Sequence, residues 1–335
     1  DFYGGTPAGE LFDTTGYRGI VAYEPTELVV VVRAGTPLAE LEATLAEKGQ
    51  CLPFEPPHFG YPAMLGANAG SAATVGGMVA AGLSGPRRAA VGAVRDYVLG
   101  VKLIDGKGEL LSFGGQVMKN VAGYDVPRLM AGSLGTLGLI AEVALKVLPL
   151  PVAERTLRFA MSESEALQRL NVWGGQPLPI AASAWHDGQL TLRLMGAKAA
   201  VDAAQASLGG EEPADAAAFW QGLREQALPF FAGSEPLWRL SVASTTPPLG
   251  LPGPQLIEWG GALRWLRGDL AAEEMRAIAA RAGGHATLFR GGEALKASAG
   301  VFQPLPPALQ QIHRRLKAAF DPHGVFNPGR MYPDF

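Results

Sequence analysis

The sequence predicts an α+β fold, in which antiparallel sheets carry helices on their faces. Two pairs of apolar runs surround Asp-Gly dipeptides, at Asp105-Gly106 and at Asp187-Gly188, and each pair predicts a β-hairpin. Stretches rich in Ala, Leu and Glu separate the hairpins and predict helices. At 335 residues, the chain is long enough for about two domains with sizeable cores.

The first elements are a strand and a helix. Glu27–Arg33 is rich in valine and predicts a strand. Thr36 is a suitable cap for the helix that follows, with Pro37 at its first position and Gly49 at its end. The prolines that follow, up to Pro62, predict an extended approach to a glycine-rich stretch.

That stretch, SAATVGGMVAAGLSGPRR at residues 71–88, has little side-chain bulk. Glycine lets a backbone approach a ligand closely, and N–H groups at the start of a helix attract anions. The stretch therefore predicts a phosphate-binding loop or, with similar weight, a helix packed tightly on its neighbour. Neither a Walker A loop nor the spacing G-x-G-x-x-G is present, so any nucleotide is held in another way.

A second glycine loop follows the first hairpin. Residues 118–125 lead into a short helix, and Gly132, Gly135 and Gly138 then recur at every third position before a strand. This spacing indicates a second ligand-facing loop, with a plain turn as the alternative. Leu148–Pro151 contains two prolines that end the strand, and it is the predicted domain boundary.

The rest of the chain alternates strands and helices. Ser162 and Glu165 form a predicted capping box, and Gly209–Ala218 is a predicted exposed loop. The tail after the last helix is rich in proline, and its aromatic residues predict that it is pinned to the body. The other predicted elements are strands at 155–160, 181–186, 189–195, 237–244, 257–267 and 285–289, and helices at 197–208, 271–282 and 307–320.

Composition excludes several classes of function. With 28 basic and 31 acidic residues, the chain has no electrostatic footprint for nucleic acid. The single cysteine, Cys51, excludes an intrachain disulfide and a cysteine-ligated iron–sulfur cluster, and the scattered histidines predict no metal site. No apolar run predicts a transmembrane helix, and no signal peptide is visible. Because residue 1 is Asp, we expect the sequence to begin inside a longer natural chain.

Four motifs in order resemble the FAD-binding flavoproteins of the vanillyl-alcohol-oxidase, or PCMH, type. They are TVGGMVAAGLSGPRR, VRDYVLGVKLIDGKGELLSFGG, KNVAGYDVPRLMAGSLGTLGLIAEVALKVLP and LKAAFDPHGVFNPGRMY. Within that family, the chain is most similar to the FAD-binding E subunits of bacterial glycolate oxidases. The resemblance implies an FAD domain over residues 1–150 that lacks its first strand–helix unit, an α+β cap domain with an antiparallel sheet over 151–315, and a tail, 316–335, that returns to the FAD domain.

The resemblance also implies which residues bind FAD. Pro53 would lie near the adenine, and Asn327 would bring the tail back to the cofactor. The pyrophosphate would contact Thr74, Gly76, Gly77, Met78, Gly82 and Gly85. The ribityl and flavin portion would contact Gly132, Thr136, Gly138 and Ile140. No catalytic residue is assigned, although Tyr124, Arg290 and Arg330 are candidates to face the flavin or an anionic substrate. Their structural alternatives are a helix cap for the tyrosine and surface carboxylate partners for the arginines.

The implied function is that of an FAD-binding subunit in a complex that oxidises glycolate or another 2-hydroxy acid. Its implied partners are a catalytic flavoprotein subunit and an iron–sulfur subunit, in the cytoplasm or peripheral to the inner membrane. Two alternatives stay open: a structural subunit with little chemistry of its own, and a self-sufficient FAD-dependent hydroxy-acid or alcohol dehydrogenase. Met78 stands where hydroxy-acid-oxidising relatives have Asn, and His285 lacks their histidine cluster. The missing cluster favours the structural subunit.

Overall fold

The computed structural model describes residues 2–59, 73–115 and 124–334, and it confirms an α+β fold built on two antiparallel sheets. Parts of two predicted motifs, residues 71–72 and 118–123, lie outside these ranges, as does Pro62. Both predicted hairpins are present, since residues 98–104 pair with 110–114, and residues 180–186 pair with 189–196.

The first sheet has five strands and packs against short helices. Val30 and Val32 of its second strand are fully buried against Leu38, Leu41 and Leu45 of the first helix. The strands are β1 (Ile20–Glu24), β2 (Val29–Arg33), β4 (Val98–Ile104), β5 (Leu110–Gly114) and β6 (Leu139–Lys146), in the spatial order β1-β2-β6-β4-β5, while β3 (Gln50–Cys51) and β7 (Leu148–Pro149) form a separate ribbon. The helices are α1 (Leu38–Ala46), α2 (Val75–Ala81), α3 (Arg88–Val91) and α4 (Val126–Met130).

The second sheet has seven antiparallel strands, and its helices are longer. Ser162 caps the first of these helices, because its hydroxyl accepts a hydrogen bond from the Glu165 amide at 3.3 Å. The strands are β8 (Ala153–Ala160), β9 (Ile180–His186), β10 (Gln189–Gly196), β11 (Leu237–Ser241), β12 (Gln255–Glu258), β13 (Leu263–Arg267) and β14 (His285–Arg290), in the order β14-β11-β13-β12-β9-β10-β8. The helices are α5 (Glu163–Gly174), α6 (Lys198–Leu208), α7 (Ala216–Arg224), α8 (Ala272–Arg281), α9 (Glu293–Ala299) and α10 (Pro307–Phe320).

Three local predictions are wrong. Thr36 does not cap α1, because its hydroxyl instead accepts a hydrogen bond from the Gly19 amide at 2.8 Å. The predicted strand 257–267 is two strands, since positive φ angles at Gly260 and Gly261 turn the chain between them. The predicted loop Gly209–Ala218 contains the start of α7 and a β-bridge between Glu211 and Arg158.

The first sheet's layer contacts the second sheet through a mixed aromatic and polar interface. Leu83, which follows α2, belongs to the same buried cluster as Trp265 and Phe289 of the second sheet. The Trp259 indole N–H donates to the carbonyl oxygen of Gly85 at 3.1 Å. These contacts hold the glycine-rich stretch directly against the second sheet.

The C-terminal tail is pinned to the second glycine loop by a buried lysine. Lys317 Nζ donates to the carbonyl oxygens of Thr136 and Phe326, each at 2.7 Å, and to Asp321 Oδ2 at 2.5 Å. Burial alone would raise the pKa of Asp321, but hydrogen bonds from Lys317 and from the amides of Phe326 and Val325 hold it below its usual value. The Lys317–Asp321 ion pair is therefore one of the contacts that hold the tail in position.

Candidate functional site

The first glycine loop is packed against the chain around it. A Cβ at Gly76 would lie 2.6 Å from the Ala34 Cβ, and one at Gly85 would lie 2.2 Å from the Glu55 carbonyl oxygen. The amides of Gly76 and Gly85 donate to the carbonyl oxygens of Ala34 and Phe54, each at 2.8 Å. Close packing therefore explains both glycines, as one of the two interpretations of this stretch requires.

The two glycine loops meet at the end of α2. Gly82 has a φ of 66°, and a Cβ there would lie 2.7 Å from the Gly132 Cα. The Gly132 amide donates to the Val79 carbonyl oxygen at 3.0 Å. Loops that are about 50 residues apart in sequence thus form one surface, as expected if both face one ligand.

The tail reaches the same surface. Asn327 Nδ2 donates to the Leu134 carbonyl oxygen at 2.7 Å, and it lies 2.8 Å from where a Cβ would stand on Gly135. Lys317 holds the neighbouring Thr136 carbonyl oxygen. Asn327 therefore contacts the second glycine loop, while its role in bringing the tail back to the cofactor stays a prediction.

The twelve predicted FAD contacts divide by accessibility. Those that reach the surface, which we call the glycine seam, are Thr74, Gly77, Gly82, Gly132 and Asn327. Those that are buried are Pro53, Gly76, Met78, Gly85, Thr136, Gly138 and Ile140. Met78 and Ile140 pack in the hydrophobic core, which suits an apolar residue where an asparagine would lack a partner.

The glycine seam presents little side-chain bulk, because three of its five members are glycines. A Cβ at Gly77 would meet only the Thr74 hydroxyl, at 3.2 Å. The amides of Gly82 and Gly132 already donate within the chain, so in this conformation they are not available to a phosphate. The seam therefore offers a cofactor contact area, while the amides of Gly82 and Gly132 are not free to donate to it.

The three candidates to face the flavin are not members of the glycine seam. The Tyr124 residue is 93% exposed, and it does not cap α4, because Asp125 accepts the hydrogen bond from the Arg128 amide. Arg330 donates to the carbonyl oxygens of Tyr3 and Gly5, and Arg290 to that of Phe231. Both arginines bind backbone carbonyls, where the structural alternative expected surface carboxylates. Burial lowers the pKa of Arg290 to about 10.

A charged cluster that was not predicted from the sequence lies between the two layers. The guanidinium carbons of Arg88 and Arg239 lie 4.6 and 5.2 Å from the centre of the Trp259 ring. Glu258 is buried beside them, accepts a hydrogen bond from the Trp265 indole at 2.7 Å, and has its pKa raised to about 7 by burial. The available signal was the alternation in β11, which places Arg239 on the same face as buried Leu237.

His285 is the first residue of β14, which neighbours β11 in the second sheet. Loss of solvent around its ring, and then the positive charges of Arg239 and Arg88, lower the pKa of His285. The neutral imidazole is therefore favoured at neutral pH. The structure places His285 near positive charge, and the described ranges contain no group of three or more His, Cys, Asp or Glu side chains that could hold a metal ion.

Comparison with known proteins identifies the family. A family model described as FAD binding domain matches residues 2–114. Glycolate oxidase subunit GlcE of Escherichia coli (strain K12) is 50% identical over 333 residues, which are 99% of this chain and 90% of that protein. The chain belongs to the GlcE family of glycolate oxidase subunits. This GlcE-family chain is a subunit of an FAD-dependent oxidoreductase, and its cofactor is FAD.

More distant relatives share part of the chain or the fold. Glycolate oxidase subunit GlcD of Bacillus subtilis (strain 168) is 30% identical over 138 residues, which are 41% of this chain and 27% of that protein. A solved structure of alkyldihydroxyacetonephosphate synthase has a TM-score of 0.62 and 16% identity, and the match covers 94% of this chain and 67% of that one. It shows the fold of the GlcE-family chain. The search of the described residues found no helix that is long and apolar enough to cross a membrane.

Proposed function

We propose that this chain is the FAD-binding subunit of a complex that oxidises glycolate or a close 2-hydroxy acid. The observation that carries the proposal is the 50% identity to GlcE along 99% of the chain. Its proposed partners are a catalytic flavoprotein subunit and an iron–sulfur subunit. A single cysteine, Cys51, leaves any cysteine-ligated cluster to another chain. The proposed location is the cytoplasm, with peripheral attachment to the inner membrane through the complex.

We further propose that residues 1–150 hold FAD and that residues 151–315 cover its reactive face. Residues 316–335 would return to the FAD domain and complete the site. Two features support this division: the strands of the first sheet end at Lys146, and those of the second begin at Ala153. The Lys317 contacts, which tie the tail to the second glycine loop, support the role of the last segment.

The proposed FAD position follows the glycine seam. Thr74, Gly77 and Gly82 would lie on the pyrophosphate side, while Gly132 and Asn327 would lie on the flavin side. The buried members of the predicted set would shape the floor of the site and would not donate hydrogen bonds from their side chains. When bound, FAD would accept the two electrons of a hydroxy-acid oxidation. The chain's own residues would then position the cofactor and exclude water from it.

Gly77→Leu tests this position, because it adds a side chain to the seam where a Cβ would meet only the Thr74 hydroxyl, at 3.2 Å. Ala43→Leu, on the exposed face of α1, is the matched control. Both proteins are purified as complexes with their partner subunits, and visible flavin absorbance and thermal unfolding are measured. We expect Gly77→Leu to lose flavin from this subunit at an unchanged unfolding temperature, and Ala43→Leu to retain it. Full flavin occupancy in Gly77→Leu would refute the proposed position.

A structural subunit is the second candidate, and one observation favours it. The amides of Gly76, Gly82, Gly85 and Gly132 all donate within the chain, so packing accounts for these glycines without a cofactor. Under this alternative, the Gly77→Leu complex would lack flavin in this subunit yet oxidise glycolate at the wild-type rate. Under the leading proposal, its glycolate turnover would fall together with its flavin content.

A further inference from the structure

Two arginines from different layers stack on one indole ring. Arg88 begins α3, next to the first glycine loop, whereas Arg239 lies in β11 of the second sheet. Their guanidinium carbons lie 4.6 and 5.2 Å from the centre of the Trp259 ring, whose N–H is fixed by the Gly85 carbonyl oxygen. The pair is therefore assembled only where the two layers meet.

The positive charge of this pair is not balanced by an ion pair. Across residues 2–59, 73–115 and 124–334, neither Arg88 nor Arg239 forms a salt bridge, whereas Arg193 nearby is paired with Glu55 at 2.6 Å. Burial lowers the pKa of Arg88, and the positive charge of Arg239 lowers it further. Two like charges held together in a partly buried place are unfavourable unless an anion lies close to both.

The acidic groups around the pair do not supply that anion. The negative charge of Asp96 raises the pKa of Arg88, but the two side chains form no salt bridge in the described residues. Asp96 Oδ2 accepts a hydrogen bond from the Ala93 amide at 2.9 Å. Glu258 accepts the Trp265 indole hydrogen bond at 2.7 Å and, in the part of the chain that the structure describes, forms no salt bridge with either arginine, and burial raises its pKa to about 7. The other charged groups that face the pair are Arg95, which is also positive, and His285, whose pKa is lowered.

The Tyr3 hydroxyl and the aromatic rings around it complete the surroundings of the two arginines. The Tyr3 hydroxyl lies beside Arg239, and burial raises the pKa of Tyr3, so that it stays protonated. Its ring packs on Phe289 with centroids 5.1 Å apart, and its carbonyl oxygen is held by Arg330 at 2.6 Å. Two guanidinium groups and a phenol beside aromatic rings are typical of a small carboxylate site.

We propose that Arg88 and Arg239 together bind the carboxylate of a small organic acid, beside the Tyr3 hydroxyl. A planar guanidinium fork matches the two oxygens of a carboxylate, and the Trp259 ring contacts both guanidinium groups. The natural occupant is the 2-hydroxy acid of the proposed function, and this choice of occupant rests on that proposal. The two arginines are binding residues that neither a family motif nor the sequence pattern assigns.

Calorimetric titration with oxalate tests the site, because oxalate carries carboxylates but has no C–H bond to oxidise. The protein is the intact complex of this chain with its partner subunits, at fixed ionic strength set by chloride. We expect Arg88→Gln and Arg239→Gln each to weaken oxalate binding about tenfold or more, and Arg239→Lys to restore part of it. Arg169→Gln is the matched control, since Arg169 also stacks on an indole, that of Trp173, but pairs with Glu165.

The outcomes separate this proposal from the proposed function. Unchanged oxalate affinity in both arginine variants overturns the site, even where the complex still oxidises glycolate. Equal weakening in Arg169→Gln also overturns it. A further outcome is a wild-type complex that binds oxalate through these arginines and yet fails to oxidise glycolate. Loss of oxalate affinity in the two variants would then support the carboxylate site and refute a 2-hydroxy acid as its natural occupant. Thermal unfolding of each variant shows that the fold is retained.

Discussion

Replacing Lys317 by methionine is expected to detach the C-terminal tail from the second glycine loop. The side chains of Lys317 and Asp321 are 9% and 0% exposed, so the variant leaves a buried carboxylate without its counter-ion. Removing one partner of a buried pair typically costs about 3–5 kcal/mol. Because Asp321 keeps hydrogen bonds from the Val325 and Phe326 amides, at 3.0 and 2.8 Å, we expect the lower end, about 3 kcal/mol.

The loss depends on pH with a defined sign. The folded-state pKa of Asp321 lies below its unfolded value, so the pair stabilises the protein above about pH 4, and this contribution is lost as the pH falls through the folded-state pKa. Without Lys317, Asp321 loses the hydrogen bond and the positive charge that help to lower its pKa. The difference in unfolding free energy between wild type and Lys317→Met should therefore be largest near neutral pH and smaller in acid.

Urea unfolding followed by tryptophan fluorescence measures this difference at several pH values. Arg314→Met is the matched control on the same helix, because its pair with Asp334 is largely exposed, and it should cost less than about 1 kcal/mol. The double variant Lys317→Met/Asp321→Asn should recover part of the loss, since no buried charge remains. A Lys317→Met protein as stable as Arg314→Met at neutral pH would refute the reasoning.

Two further changes test the glycine contact and the buried glutamate. Gly82→Ala should destabilise the chain by about 2–4 kcal/mol, because its Cβ would lie 2.7 Å from the Gly132 Cα in addition to its φ of 66°. Gly49→Ala has the same φ with no atom within 4 Å and should cost only about 1 kcal/mol, so equal urea midpoints would contradict the contact. Glu258 has a folded-state pKa of about 7, above its unfolded value, so wild-type stability should decline between about pH 4.5 and 7, by about 3 kcal/mol. Glu258→Gln should remove that decline, and parallel stability profiles of the two proteins would show that the carboxyl is not so perturbed.

Signals carried by neighbouring residues were enough to predict several elements of this chain. The Asp-Gly dipeptides give both hairpins, and Ser162 caps its helix, because turn and cap geometry depend on residues within a few positions. The motifs from residue 74 to residue 149 also identified the family. Thr36 shows the limit of such signals: its hydroxyl satisfies Gly19, 17 residues away, in preference to its own helix.

Tertiary structure alone decided which of the predicted residues meet, and with what. Gly82 contacts Gly132, Lys317 binds the Thr136 carbonyl oxygen, and Arg88 contacts the Trp259 ring, across separations of 50 to 181 residues. Arg239 contacts the same ring from 20 residues away. No local pattern encodes these contacts, because they depend on how two sheets pack and on which buried polar groups find partners. The sequence by itself therefore determined the elements and the cofactor class, while packing decided which amides were already used and which charges lacked an ion pair.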